Sequence, residues 1–182
     1  MRIRIWAPLA AALLMTTILT SSVSAMADEA NFLSRFEGKW TGGGSMKPTA
    51  KAPSVPLDCV ANGNSSPHTL SLGGKCSALV LSRDLSADLK YDPRSNRYSG
   101  VYITGGDPPA ALNGMRAGDA LVLAVKWPKP VNGDSDATMI IRNTGQGNFS
   151  FTVRDAVEPG GPTVTTANFT LSREGQDAHT GK

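Results

Sequence analysis

The chain has 182 residues, a formal net charge of +3, 40% hydrophobic and 18% charged residues, 19 Gly, 12 Pro and only two Cys. A charge balance this even, with no clustered Lys and Arg interleaved with aromatics, excludes a nucleic-acid footprint, and no polybasic run marks a membrane-surface protein. The many Gly and Pro punctuating short runs of Val, Ile, Thr, Tyr and Phe point instead to short strands joined by turns.

Residues 1–27 read as a secretory signal peptide. Arg2 and Arg4 precede an apolar run from Ile5 to Leu19, and the small-x-small sites that follow predict cleavage after Ala25 or Ala27. The run is too short and too soon polar for a convincing membrane span, and no later apolar stretch nears the roughly 20 residues that one needs. No Cys near the cleavage site supports a lipid anchor. The expectation is a soluble periplasmic or secreted protein. Removing the leader takes Arg2 and Arg4 and no acid, so the net charge falls from +3 to +1. Roughly 155 residues remain, the size of one domain with one core. The expected layout is a single β-barrel domain over residues 28–174 and a polar, disordered tail over 175–182.

The first mature element, Asp28 to Arg35, is the one predicted helix, with Asp28 or Asn31 as cap and Phe32, Leu33 and Phe36 on one face. A turn so short is marginal alone and is expected to plug a barrel end. Next, Phe36, Gly38, Trp40, Gly42 and Gly44 share one parity, so an extended strand turns two aromatics inward. Glycines directly after the Trp predict a sharply coiled first strand. A phosphate cradle is not the reading, because no helix and no Lys-Ser/Thr pair follows them.

This stretch, Phe36-x-Gly38-x-Trp40-x-Gly42-x-Gly44, resembles the opening of calycin-type barrels, the lipocalins and the nitrobindin-like proteins, where a Gly-x-Trp closes one end of an antiparallel barrel. In that family the Trp commonly sits under an Arg from the last strand. The resemblance implies that Arg173, which shares parity with Ala167, Phe169 and Leu171, stacks on Trp40 by a cation–π contact. Nitrobindin-like proteins bind haem through a His near the chain end; here His179 follows the last predicted strand, and no cofactor is expected. The order Gly38-x-Trp40, Cys59, Leu72-x-Gly74-x-Cys76 is also similar to small periplasmic inhibitors of secreted metalloproteases, which insert their mature N-terminus into the protease cleft.

Onward from a loop over Met46 to Pro56, Leu57, Cys59 and Ala61 alternate with polar neighbours, Asn62 to Pro67 turns, and Leu70, Leu72, Gly74 and Cys76 return. Both cysteines share the parity of the buried leucines and are the only two in an exported chain, so a Cys59–Cys76 disulfide is the expected state. A redox pair or metal thiolates would need a Cys-x-x-Cys or a neighbouring His, and neither is present. Leu85, Ala87, Leu89 and Tyr91 turn through Asp92–Asn96 to Tyr98, Gly100 and Tyr102; a Gly105–Pro109 break follows. Ala111 to Met115, an Ala117–Asp119 turn, and then Leu121, Leu123, Val125 and Trp127 follow in turn, with Pro128 to Ser135 as a loop. Met139 and Ile141, then Phe149, Phe151 and Val153, then Ala167, Phe169 and Leu171 supply three more inward faces. The fold class expected is all-β: an antiparallel up-and-down barrel of eight to ten strands, lipocalin-like, with a short N-terminal helix, favoured over a two-sheet sandwich.

A small barrel either fills itself with side chains or holds one small ligand. Tyr91, Tyr98, Tyr102 and Trp127, each an apolar ring with one polar group, are the candidate ligand-binding residues, while Trp40, Arg173, Cys59 and Cys76 are structural. Catalysis is not expected. His68 and His179 have no partner constellation, there is no Gly-x-Ser-x-Gly elbow, and no His or Cys spacing suits zinc. Asp84 with Asp88 and Asp134 with Asp136 fall where solvated carboxylates are usual. The function expected is an exported, non-catalytic barrel binding a small apolar ligand; a protein-binding module such as a protease inhibitor, or a structural envelope protein, is the alternative.

Overall fold

The computed structural model describes residues 21–78, 81–131 and 133–175. A helix, α1 (Ser21–Ser34), is followed by ten strands: β1 (Gly38–Met46), β2 (Val55–Ser66), β3 (Thr69–Ala78), β4 (Leu81–Asp92), β5 (Arg97–Thr104), β6 (Ala110–Ala117), β7 (Ala120–Val131), β8 (Asp134–Arg142), β9 (Asn148–Ala156) and β10 (Thr163–Arg173). Every strand pairs antiparallel with its sequence neighbours, and β1 pairs with β10, so the sheet closes into an up-and-down barrel without a free edge. The all-β barrel read from the alternation is what the chain forms, at ten strands.

Closure begins in the glycine-rich first strand. A Cβ on Gly42 would stand 2.2 Å from the Thr170 carbonyl oxygen, and one on Gly44 would stand 1.9 Å from that of Asn168. Only glycine lets β1 coil tightly enough to hydrogen-bond β2 on one side and β10 on the other. The register sets Trp40 opposite Arg173 and Cys59 opposite Cys76. Those two cysteines form a disulfide with their Cα atoms 4.1 Å apart, as the shared parity predicted.

Several boundaries differ from the sequence expectation: the loop predicted over Met46 to Pro56 spans only 47–54, and the strand predicted over Ala111 to Met115 is Ala110–Ala117. Within the described residues the helix already runs from Ser21, ahead of the predicted Asp28, and passes through both predicted cleavage positions, because the Ala- and Met-containing segment before Asp28 is itself helix-compatible. Residues 1–20 of the predicted leader, and 176–182 of the predicted tail, lie outside the described residues. The turn between β2 and β3 is only Pro67–His68, and Asn62 to Ser66 continue the strand, since an Asn- and Ser-rich segment pairs once a partner ladder faces it. Pro128 to Val131 belong to β7, and Asp134 and Ser135 to β8, rather than to a loop. The ladder shifts between Lys126 and Val131, and that break accommodates Pro128 and Pro130, which have no N–H to donate.

The core is one continuous cluster inside the wall. At the end where β1 begins, α1 lies across the opening and drives Phe32, Leu33 and Phe36 inward, all with no exposed surface. Phe36 meets Phe149 at 5.7 Å between ring centroids, and Trp40 meets Phe149 at 4.9 Å. The opposite end carries the loops 47–54, 105–109 and 157–162 and has no helix over it among the described residues.

Candidate functional site

The four aromatics predicted as a ligand set divide between the two ends. Tyr91 is the last residue but one of β4 and Tyr98 the second of β5, so both stand at the end that α1 plugs, with rings 5.1 Å apart. The Tyr98 hydroxyl donates to Glu29 Oε1, and Glu29 is only 5% exposed. Arg116 reaches up from β6, donating to Glu29 Oε2 at 3.2 Å and Asp28 Oδ2 at 2.7 Å, with its guanidinium carbon 4.3 Å from the centre of the Phe32 ring. The Tyr91 hydroxyl is held by Asn96 Oδ1 at 2.9 Å. Burial first, then the hydrogen bond and charge of Glu29, push the Tyr98 phenol far above its ordinary range. These polar groups satisfy one another, so the arrangement fastens a plug.

A second lock closes the same end. The Arg173 guanidinium lies 4.4 Å from the centre of the Trp40 ring system and donates to the carbonyl oxygens of Arg35, at 3.0 Å, and Glu37. Arg35 in turn pairs with Asp119 at 2.7 Å, and Asn143 donates its side-chain amide to the Arg35 carbonyl at 2.8 Å. The contact of Trp40 with the last-strand Arg is present as the resemblance implied.

Tyr102 and Trp127 face the other end. Their rings meet edge to face at 6.2 Å, and Tyr102 also packs, tilted, against Phe151 at 5.8 Å. Here the barrel is hollow: a lobe of about 510 Å³ bounded by Leu57, Cys76, Leu85, Tyr102 and Phe169 adjoins one of about 290 Å³ bounded by Tyr102, Trp127, Val153, Asp155 and Thr166. A smaller apolar void of about 70 Å³ continues inward between Cys76, Tyr102, Phe149 and Leu171. Tyr102 touches all three spaces, and burial alone raises its phenol well above the ordinary range. No hydrogen-bond partner of its hydroxyl is found among the described residues, so that hydroxyl remains available at the cavity wall.

Two polar residues that sequence reasoning passed over complete this site. Asp155, 4% exposed, receives the Trp127 indole N–H on Oδ1 at 2.9 Å and the Thr166 hydroxyl on Oδ2. The signal for Asp155 was present: it shares parity with Phe149, Phe151 and Val153, an acid in an inward register. Thr166 had no such signal. The ladder between β9 and β10 shifts between Thr165 and Ala167, and that bulge turns Thr166 to the inside beside Ala167, where counting by twos from Leu171 puts it outside. Glu29 was legible in the same way as Asp155, one helical turn before Phe32 and Leu33 and two before Phe36.

Chemically, the open end can enclose an apolar body and offer it a hydroxyl and a carboxylate. His68 sits far from it, on the closed-end turn, stacked on Tyr91 at 6.4 Å. Among the described residues no group of three His, Cys, Asp or Glu is arranged to hold a metal ion, and no helix is long and apolar enough to cross a membrane.

The sequence matches no family model and no curated protein. Among solved structures, the chain is similar to the crystal structure of Rv2717c from M. tuberculosis, with a TM-score of 0.59 and 16% sequence identity over 86% of this chain and 99% of that one. At that identity the likeness is one of barrel fold.

Proposed function

We propose that this chain is an exported, non-catalytic barrel of the calycin-like kind that binds a small, largely apolar ligand in its open end. The observation that carries the reading is the hollow of about 510 Å³ at the end without a plug, walled by Leu57, Leu85, Tyr102 and Phe169. Its size and apolar lining with few polar groups are those of small-molecule sites. Tyr102 and Trp127 belong to the proposed site; Tyr98 is bonded to the plug and Tyr91 packs on Tyr98 and bonds Asn96 at the same closed end, so neither belongs to it.

Export is supported by the Arg2–Leu19 leader pattern and by a disulfide, which persists in an oxidising compartment such as the periplasm. Calycin-like kinship is supported by the Trp40–Arg173 stack and the up-and-down closure. Protease inhibition is the weaker reading, because Phe32, Leu33 and Phe36 are wholly buried in the barrel end and leave this segment no freedom to enter a cleft.

The test is mass spectrometry of protein purified gently from its native envelope, comparing native with denatured mass. An added mass that disappears on denaturation is expected and gives the ligand's size. Equal masses, together with no uptake of short-chain apolar probes in titration, would overturn the reading.

A further inference from the structure

Among the described residues two carboxylates are buried, one at each end of the barrel, and only one of them has a counter-ion. Glu29 at the closed end is 5% exposed and is paired with Arg116 at 3.2 Å. Asp155 at the open end is 4% exposed and is held by two neutral donors, the Trp127 indole and the Thr166 hydroxyl. Among the described residues, no Lys or Arg forms an ion pair with Asp155. Neutral donors orient a carboxylate but bring no positive charge to it, and a buried carboxylate is solvated poorly.

This carboxylate lines the 290 Å³ lobe, so a guest in the cavity can reach it. Tyr102 lines the same lobe, on a ring 6.2 Å from that of Trp127, and its hydroxyl, without a hydrogen-bond partner among the described residues, offers a second acceptor. Lys47 and Lys129 border the same lobe with Asp107; Lys129 is exposed, and neither lysine bonds Asp155. Lys129 and Asp107 are exposed at the rim, Lys47 is half-buried there, and the Asp155 carboxylate stands inside.

Resting on the binding function proposed above, we infer that the ligand is an amine: an apolar body in the larger lobe carrying a protonated nitrogen that docks on Asp155 and donates also to Tyr102. Charge-assisted hydrogen bonds in a desolvated site are the strong kind, and they discriminate against neutral and anionic analogues of the same shape.

The experiment is calorimetric titration of the folded protein with three probes of one chain length: octylamine, octan-1-ol and octanoate. Octylamine is expected to bind about tenfold tighter or more than either other probe. In Asp155→Asn that ratio is expected to collapse to within about twofold. Equal affinities in the wild type, or octanoate tightest, overturn the amine assignment and leave the apolar-ligand reading standing. An amine preference that survives in Asp155→Asn overturns the role of Asp155. Binding of none of the three overturns the binding function itself and the amine assignment with it. The wild-type ratio decides the ligand class even where Asp155→Asn does not fold.

Discussion

Trp40 donates its indole N–H to the Phe36 carbonyl at 2.9 Å, takes the Arg173 guanidinium over its face at 4.4 Å and sets an edge against Phe149 at 4.9 Å. Removing a wholly buried ring at such a junction, as in Trp40→Ala, is expected to cost about 3–5 kcal/mol, read from urea unfolding. A variant of near wild-type stability would remove Trp40 from the structural role. Gly44→Ala tests the coiled strand: its new Cβ meets the Asn168 carbonyl oxygen at 1.9 Å, backbone against backbone, so no side chain can give way. A loss of at least about 2 kcal/mol is expected in the same unfolding assay. The tyrosines make a pH prediction. All three phenols, Tyr91, Tyr98 and Tyr102, are raised above the ordinary value of 10.0, chiefly by burial. Unfolded chains therefore lose phenolic protons first as pH rises, and stability falls above about pH 10. Titration of tyrosinate absorbance should show ionisation coinciding with loss of fold; reversible ionisation near 10.0 in the intact barrel would contradict it.

Among the elements, α1 differs from the strands in what holds it. Its apolar face enters the barrel through Phe32, Leu33 and Phe36, and its polar side is tied by Arg116 to Asp28 and Glu29. Arg116→Ala leaves Glu29 buried without its cation, a loss of about 3 kcal/mol or more when the surviving charge stays desolvated. The expected readout is local: hydrogen exchange quickens over residues 28–34 while strands β3 to β8 keep their protection. Uniform acceleration would mean that the plug and the wall unfold as one unit. This plug was legible as a helical face with three aromatic or aliphatic positions, but its anchoring was not, because Arg116 lies 87 residues from Glu29. Likewise the β9–β10 bulge that turns Thr166 inward has no Gly or Pro in sequence to announce it.

For the whole molecule, the asymmetry of the two ends governs what the barrel can do. One helix and a set of arginine locks fill one mouth, and the other is left hollow above Tyr102. The Cys59–Cys76 bond staples β2 to β3 along the wall of that hollow. Reduction is expected to lower stability by about 3 kcal/mol in the chain-entropy account, seen as a lower melting temperature with reductant present. An unchanged melt would assign the bond no stabilising role.

By itself the sequence determined the architecture. Alternation along each strand, parity of the two cysteines, coiling glycines after Trp40 and the inward parity of Arg173 are local properties, set by the period-two geometry of an extended chain. Only the tertiary structure decided which inward residues meet. Tyr91, Tyr98, Tyr102 and Trp127 look alike in sequence, yet the first two stand at the plugged end and the last two in the cavity, because position along a strand chooses the mouth. Helical spacing marked Glu29 and strand parity marked Asp155 as inward acids, but nothing local says that one acquires Arg116 and the other no cation among the described residues. Counter-ions are supplied by strands distant in sequence, and a hollow is what remains after every side chain has been placed.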